Sequence, residues 1–215
     1  WGQGILRSTD NGRSFQVLLA TLNDNFRYVS DLAISAFDHR RIYAATNTGV
    51  WRSDDSGASF VQVLRPADDD GGLRYEGCTD LQMLPDDQRD VLLASCSSRS
   101  VSDRYYLPGT VVPPACDGPC PSAIFRHDDA ASADAGGWVE VLSEPGMGRS
   151  SIDYARSSPN VVYALSSSIA AGFDRNGDGL GDYDNGLHAL WRSDDGGRSW
   201  QAQLRNSSPD ALSTY

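Results

Sequence analysis

Apolar positions fall into short runs along the chain, each bounded by Gly, Asp, Ser, Asn or Pro. Runs of this kind, rich in Val, Leu, Ile, Tyr and Trp, predict β-strands joined by polar turns. The runs repeat. Asp31 to Ile34 followed by Arg41 to Ala45 matches Asp80 to Met83 followed by Asp90 to Ala94. Both match Ser151 to Tyr154 followed by Val161 to Ala164. Downstream lies a second repeated element. Gly4 to Phe15, Gly49 to Phe60 and Ala189 to Trp200 all fit Ser-x-Asp-x-Gly-x-Ser-aromatic. Ser8, Asp10 and Gly12 stand where Ser53, Asp55 and Gly57, and then Ser193, Asp195 and Gly197, stand in the later copies. A fourth copy, opening at Ile124, has His127 in place of the first Ser and extra residues before Trp138.

Each complete unit therefore contains four strands: two from the upstream pair, one before the Ser-x-Asp turn and one after it. A four-stranded antiparallel unit repeated along a chain predicts an all-β fold, a β-propeller built of blades. The units lie at about 28–65, 75–143 and 149–205, with a half-blade at 1–20 and residues 206–215 leading into a further blade. Closing a ring takes about four to eight blades. These three and a half blades are accordingly expected to be a propeller segment, completed by blades of the same protein or of another chain.

The eight-residue turns resemble Asp-boxes, also called BNR repeats, of the sialidases, sortilin-type receptors with a VPS10 domain, xyloglucanase-type glycoside hydrolases and photosystem assembly propellers. The resemblance implies a propeller fold and leaves function open, because those proteins do unrelated things. Physics gives the motif a structural task. An Asp at the third position can accept N–H groups of its own hairpin turn, and the Gly two residues on can supply a positive φ. The closing aromatics Phe15, Phe60, Trp138 and Trp200 are expected to pack on the sheet. By the same reasoning Trp51 and Trp191, at identical offsets before their turns, are blade-packing residues.

Charge narrows the partners. The 215 residues carry 18 basic and 29 acidic side chains, a net charge of −11. Such a balance disfavours nucleic acid and anionic lipid, which need a positive surface. No apolar stretch approaches the ~20 residues of a membrane span. Every basic residue is Arg, and Asp far outnumbers the three Glu residues. Complete absence of Lys fits a biased genome or adaptation to salt.

Two blades carry insertions between their second and third strands, at about 97–121 and 167–186, where the 28–65 blade has only Asn47 and Thr48. Insertions on one face of a repeat scaffold are where binding specificity is built. The second insertion resembles the calcium loops of EF-hands, dockerins and thrombospondin type 3 repeats. Asp174, Asn176 and Asp178 would supply positions 1, 3 and 5, with Leu180 through its carbonyl and Asp182 following, and Gly179 permitting the sharp turn. Asn185 stands where an EF-hand has its bidentate Glu, and Asp184 could substitute. Calcium is expected to order this loop, the alternative being an acidic solvated turn.

Tyr105 and Tyr106, in the first insertion, are candidates for stacking on a ligand. Among the four cysteines three pairings are formally possible. Cys78 with Cys96 and Cys116 with Cys120 is preferred, because antiparallel register from a Leu84–Val91 pair places Cys78 opposite Ser97 and within reach of Cys96. A zinc site has poor ligand spacing here. Disulfides and a calcium loop together predict a secreted, extracellular or periplasmic protein. Asn206 to Ser208 matches a glycosylation acceptor, relevant in a eukaryotic secretory pathway.

Two functions from different classes follow. One is a non-catalytic propeller whose insertions bind a protein or a glycan. The other is a glycoside hydrolase of the xyloglucanase-like type acting on a polysaccharide. In that case Asp31 and Asp80, at equivalent positions on channel-lining first strands, and Asp153, two residues beyond the equivalent Ser151, are the candidate acids. The same carboxylates could instead cap inner strands by bonding to neighbouring backbone. The sialidase pattern has only Arg74, Tyr75 and Glu76 as a local hint. His39, His127 and His188 lack a nucleophile motif nearby, and His127 reads as drift of the Asp-box Ser. The sequence favours the binding or structural role, with no catalytic residue preferred.

Overall fold

The computed structural model of the protein describes residues 4–65, 77–97, 122–132, 135–168 and 187–205. Two short strands, β1 (Leu6–Arg7) and β2 (Gln16–Val17), pair with each other. A four-stranded sheet follows, made of β3 (Val29–Ile34), β4 (Ile42–Thr46), β5 (Gly49–Ser53) and β6 (Val61–Leu64). The next contains β7 (Gly77–Leu84), β8 (Val91–Ser97), β9 (Ser122–His127) and β10 (Val139–Leu142). The last contains β11 (Met147–Tyr154), β12 (Val162–Ser168), β13 (Leu187–Ser193) and β14 (Gln201–Arg205). Within each sheet every strand pairs antiparallel with its sequence neighbour. Among the described residues the only helical turns are the 3-10 turns Leu19–Thr21, Asp24–Phe26 and Ala135–Gly137. The chain is an all-β segment of a β-propeller: three blades and two strands of another.

The blades pack face to face, with β3 against β7 and β7 against β11. Three apolar layers separate them. Ile5 and Leu18 meet Phe26, Ala44, Trp51 and Phe60 at the first seam. Tyr43, Val50 and Val63 meet Leu81, Leu92 and Ala123 at the second. Leu93 and Ile124 meet Ile152, Val162 and Trp191 at the third. Burial follows from this stacking. The middle strand β8 is buried at every position, whereas β12 alternates buried and exposed residues. A strand covered on both faces reads as a continuous apolar run, and one covered on a single face alternates.

The Ser-x-Asp-x-Gly turns share one geometry. Ser8 Oγ accepts the Gly12 N–H at 2.8 Å, Asp10 Oδ1 accepts the Ser14 N–H at 2.9 Å, and Ser14 Oγ donates to Asp10 Oδ2 at 2.6 Å. The bonds recur at 2.8, 2.9 and 2.6 Å around Ser53, Asp55 and Ser59, and at the same values around Ser193, Asp195 and Ser199. The Ser14 and Ser59 hydroxyls, then their amides, hold Asp10 and Asp55 down at about 2. Burial opposes this at Asp195, but the Ser199 hydroxyl and amide outweigh it and keep that carboxyl low as well. Two successive residues are left-handed in each turn, not the Gly alone: Asn11 and Gly12, Ser56 and Gly57, Gly196 and Gly197. That pair of positive φ angles is the twist a tight hairpin requires.

His127 is more than drift. Its Nδ1 accepts the Asp129 N–H at 2.9 Å, the bond that Ser8 Oγ offers Asp10, and its ring meets Trp138 edge-on at 5.4 Å. Phe15 departs from the expected packing and is 59% exposed. Its turn belongs to the two-stranded unit, which has no first and second strands among the described residues to cover the ring. Trp51 and Trp191 pack as expected; Trp191 is buried, and its Nε1 donates to Ser166 Oγ at 3.1 Å.

Cys78 and Cys96 form a disulfide. Register runs from Leu84–Val91 as expected, but a bulge between Cys78 and Asp80 shifts it by one, so Cys78 faces Cys96 and Gly77 takes Ser97. Cys116 and Cys120 lie outside the described residues.

Candidate functional site

The inner strands bring two of the three candidate acids together. Each first strand is bulged near the same place: between Val29 and Asp31, between Cys78 and Asp80, and between Met147 and Ser150. A bulge re-aims the side chain beside it, and here Asp31 and Asp80 both reach the following blade. The Leu81 N–H donates to Asp31 Oδ2 at 2.9 Å, and the Ile152 N–H donates to Asp80 Oδ2 at 3.0 Å. Asp31 Oδ1 also accepts the Leu32 N–H at 2.8 Å. The two carboxyl groups lie near enough for the Asp31 charge to act on Asp80. Asp153 stays apart; it is exposed and accepts the N–H of the adjacent Tyr154 at 2.8 Å.

This arrangement pushes Asp80 up to about 6. Burial is the largest cause, the Ile152 amide opposes it, and the Asp31 charge adds to it. Two carboxyls in contact share a proton more easily than they both ionise. A raised folded pKa means the native state holds this proton better than the unfolded chain does. The stability from it is complete below about 3.8 and is lost as pH rises through about 6. Asp80→Asn keeps an oxygen for the Ile152 amide and removes the titration. The variant is expected to match the parent near pH 4 and to exceed it at pH 7 by about 1–2 kcal/mol, a figure discounted for solvent screening. Urea titrations at both pH values check this, and a constant difference between the two proteins would refute it.

A second polar cluster was not singled out by sequence reasoning. Glu144, in the crossover after β10, meets His188 Nε2 at 2.5 Å. It also accepts both arms of Arg205, at 2.6 and 3.0 Å, from the end of β14. The Arg205 guanidinium lies 4.8 Å from the Trp191 ring centroid. Burial opposes ionisation of Glu144, but the bonds from Arg205 and His188 outweigh it and lower its pKa. One signal was available. Glu is rare in this Asp-rich chain, and a lone Glu marks a place where the longer side chain is needed to reach two strands. The cluster ties the crossover to the third blade beside the residues where the second insertion begins and ends.

Tyr105, Tyr106 and the loop from Asp174 through Asn176, Asp178, Leu180, Asp182 and Asp184 lie outside the described residues. Among the described residues no three His, Cys, Asp or Glu side chains converge in a way that could hold a metal ion.

Solved structures similar to this chain include two GH74 enzymes. An ancestral GH74 enzyme aligns over 97% of this chain and 22% of its own, with 20% identity and a TM-score of 0.60. The GH74 xyloglucanase from Xanthomonas campestris aligns over 94% of this chain and 27% of its own, with 17% identity and a TM-score of 0.56. The chain thus spans about a quarter of the length of either enzyme. At such identities the likeness is one of fold. No protein-family model matches the chain, and no curated protein does.

Proposed function

We propose that this segment is a non-catalytic binding or structural part of a secreted or periplasmic β-propeller, taking a protein or glycan ligand on its insertions. The observation that supports this reading is the engagement of Asp31 and Asp80. Each gives an oxygen to a backbone amide of the next blade, which is the strand-capping role. The turns, read as Asp-boxes, are hairpin devices with their polar atoms bonded locally. The disulfide fits an oxidising compartment. Further blades, from the same polypeptide or another, are the remaining partner. A glycan array together with a polysaccharide-hydrolysis screen on the full-length protein tests the assignment. Binding without bond cleavage supports it, and sugar release lost on Asp80→Asn replaces it with the second reading.

That second reading is a glycoside hydrolase. Both similar structures are named GH74 enzymes, and a carboxyl pushed up to about 6 suits a general acid.

Calcium belongs to the proposal through the loop at 174–184. Saturating calcium is expected to raise Tm by roughly 5–10 °C over a chelated sample, the size of effect given by a ligand at about a hundred times its Kd. A melting curve unmoved by chelator removes calcium from the account.

A further inference from the structure

Successive blades are joined outside the apolar layers by one repeated contact. The Arg just before each turn sends Nη1 across to the fourth residue of the following blade's turn. Arg7 Nη1 donates to Ser56 O at 2.6 Å and Arg52 Nη1 to Ala130 O at 3.0 Å, and Arg126 Nη1 donates to Gly196 O. In the complete blades an acid at the second turn position holds the guanidinium for this. Arg52 bonds Asp54 at 3.0 Å, and Arg126 bonds Asp128 at 2.5 Å. Beside Arg52 on β4, Tyr43 adds a second link, its hydroxyl donating to Asp90 Oδ2 of the following blade at 2.9 Å.

The third blade repeats the donor side of this joint with nothing described beyond it. Arg192 is oriented by Asp194 through Nε and Nη2, at 3.0 and 2.6 Å, as Arg52 is by Asp54. Tyr163 lies opposite Arg192 in the register, as Tyr43 lies opposite Arg52. Tyr43 is 0% exposed and Tyr163 39%. Leu165 and Leu204 are also exposed on this blade, at 52% and 46%. Their equivalents in the first complete blade, Ala45 and Leu64, are buried.

We propose that this face of the third blade is a blade-docking surface. Its occupant is a further four-stranded unit of the same repeat, supplied by the polypeptide that carries these residues. That unit presents the carbonyl of its fourth turn residue to Arg192 and a carboxylate, in the place of Asp90, to the Tyr163 hydroxyl. The inference rests on the reading of the chain as a propeller segment and names the contacts that extend it. The size of the similar enzymes, about four times the length aligned here, agrees with further blades in the same chain.

The test uses Leu165→Cys, labelled with a maleimide, in the 215-residue chain and in the polypeptide that includes its flanking sequence. Labelling is expected to slow by about 100-fold or more in the longer polypeptide, as for a residue exposed only on local opening. Arg192→Ala is expected to lower Tm of the longer polypeptide about as much as Arg126→Ala does, and to leave that of the 215-residue chain unchanged. Equal labelling rates in the two proteins would overturn the proposal. Protection that appears in the 215-residue chain only as its concentration rises would overturn it too, by assigning the face to a second copy. The ligand screens read a different surface, so the seam and the proposed function can fail separately.

Discussion

Asp90→Ala is expected to lower stability by about 3–5 kcal/mol, because it strands a set of buried partners. Asp90 lies between β7 and β8 and is 1% exposed. Three donors from the preceding blade converge on it: Ser35 Oγ at 2.7 Å, Arg41 Nη1 at 3.1 Å and Tyr43 Oη at 2.9 Å. Its own backbone carbonyl accepts the Ala130 N–H at 2.8 Å. Burial, and then the Asp90 charge, push the Tyr43 hydroxyl well above its ordinary pKa, so it remains a donor throughout the working range. Removing the carboxylate leaves the buried Tyr43 phenol without its acceptor and the Arg41 guanidinium with Asp54 as its remaining carboxylate, at 2.7 Å. Asp90→Asn keeps part of the acceptor capacity and should lose about half as much. Urea denaturation followed by tryptophan fluorescence measures both; a loss under about 1 kcal/mol for Asp90→Ala would show that the network is dispensable.

Removing the Cys78–Cys96 bridge has the next largest expected effect. Replacing both cysteines by Ala should destabilise the chain by about 3 kcal/mol, the chain-entropy estimate for a loop of this size, with the cysteines 18 residues apart. Both side chains are buried at the seam between the first two blades, and Ala fits there without a polar atom. The double variant should melt lower under non-reducing conditions. Equal melting curves would mean that the hairpin's register and packing already restrict the unfolded chain as much as the covalent link does.

Features legible in the sequence are those made by neighbours in the chain. The hairpin turns around Asp10, Asp55 and Asp195 are closed by residues four apart, so their spacing alone announces them. Strand pairs followed from apolar runs on either side of a turn, and the Cys78–Cys96 link followed from a short hairpin. Contacts between blades were hidden, because Tyr43 and Asp90 stand 47 residues apart and no local pattern couples them. The bulges before Asp31 and Asp80 were hidden for another reason: an extra residue in one strand leaves the apolar alternation readable in either register. Those bulges aim both candidate acids at backbone amides of the following blade. His188 carries no local sign of its role, since its partner Glu144 arrives from the crossover after β10, 44 residues away.

The fourth residue of each turn has a consequence for how such chains diverge. Its N–H is given to its own blade, as Ser56 to Arg40, Ala130 to Asp90 and Gly196 to Asn160, while its C=O receives the neighbour's arginine. The joint is thus made from main chain, which every residue except proline supplies in full. Asn, Ser, Ala and Gly occupy the position in the four copies. The limit on divergence there is conformational: Asn11, Ser56 and Gly196 all have a positive φ, so the position accepts residues that tolerate a left-handed backbone rather than any one side chain.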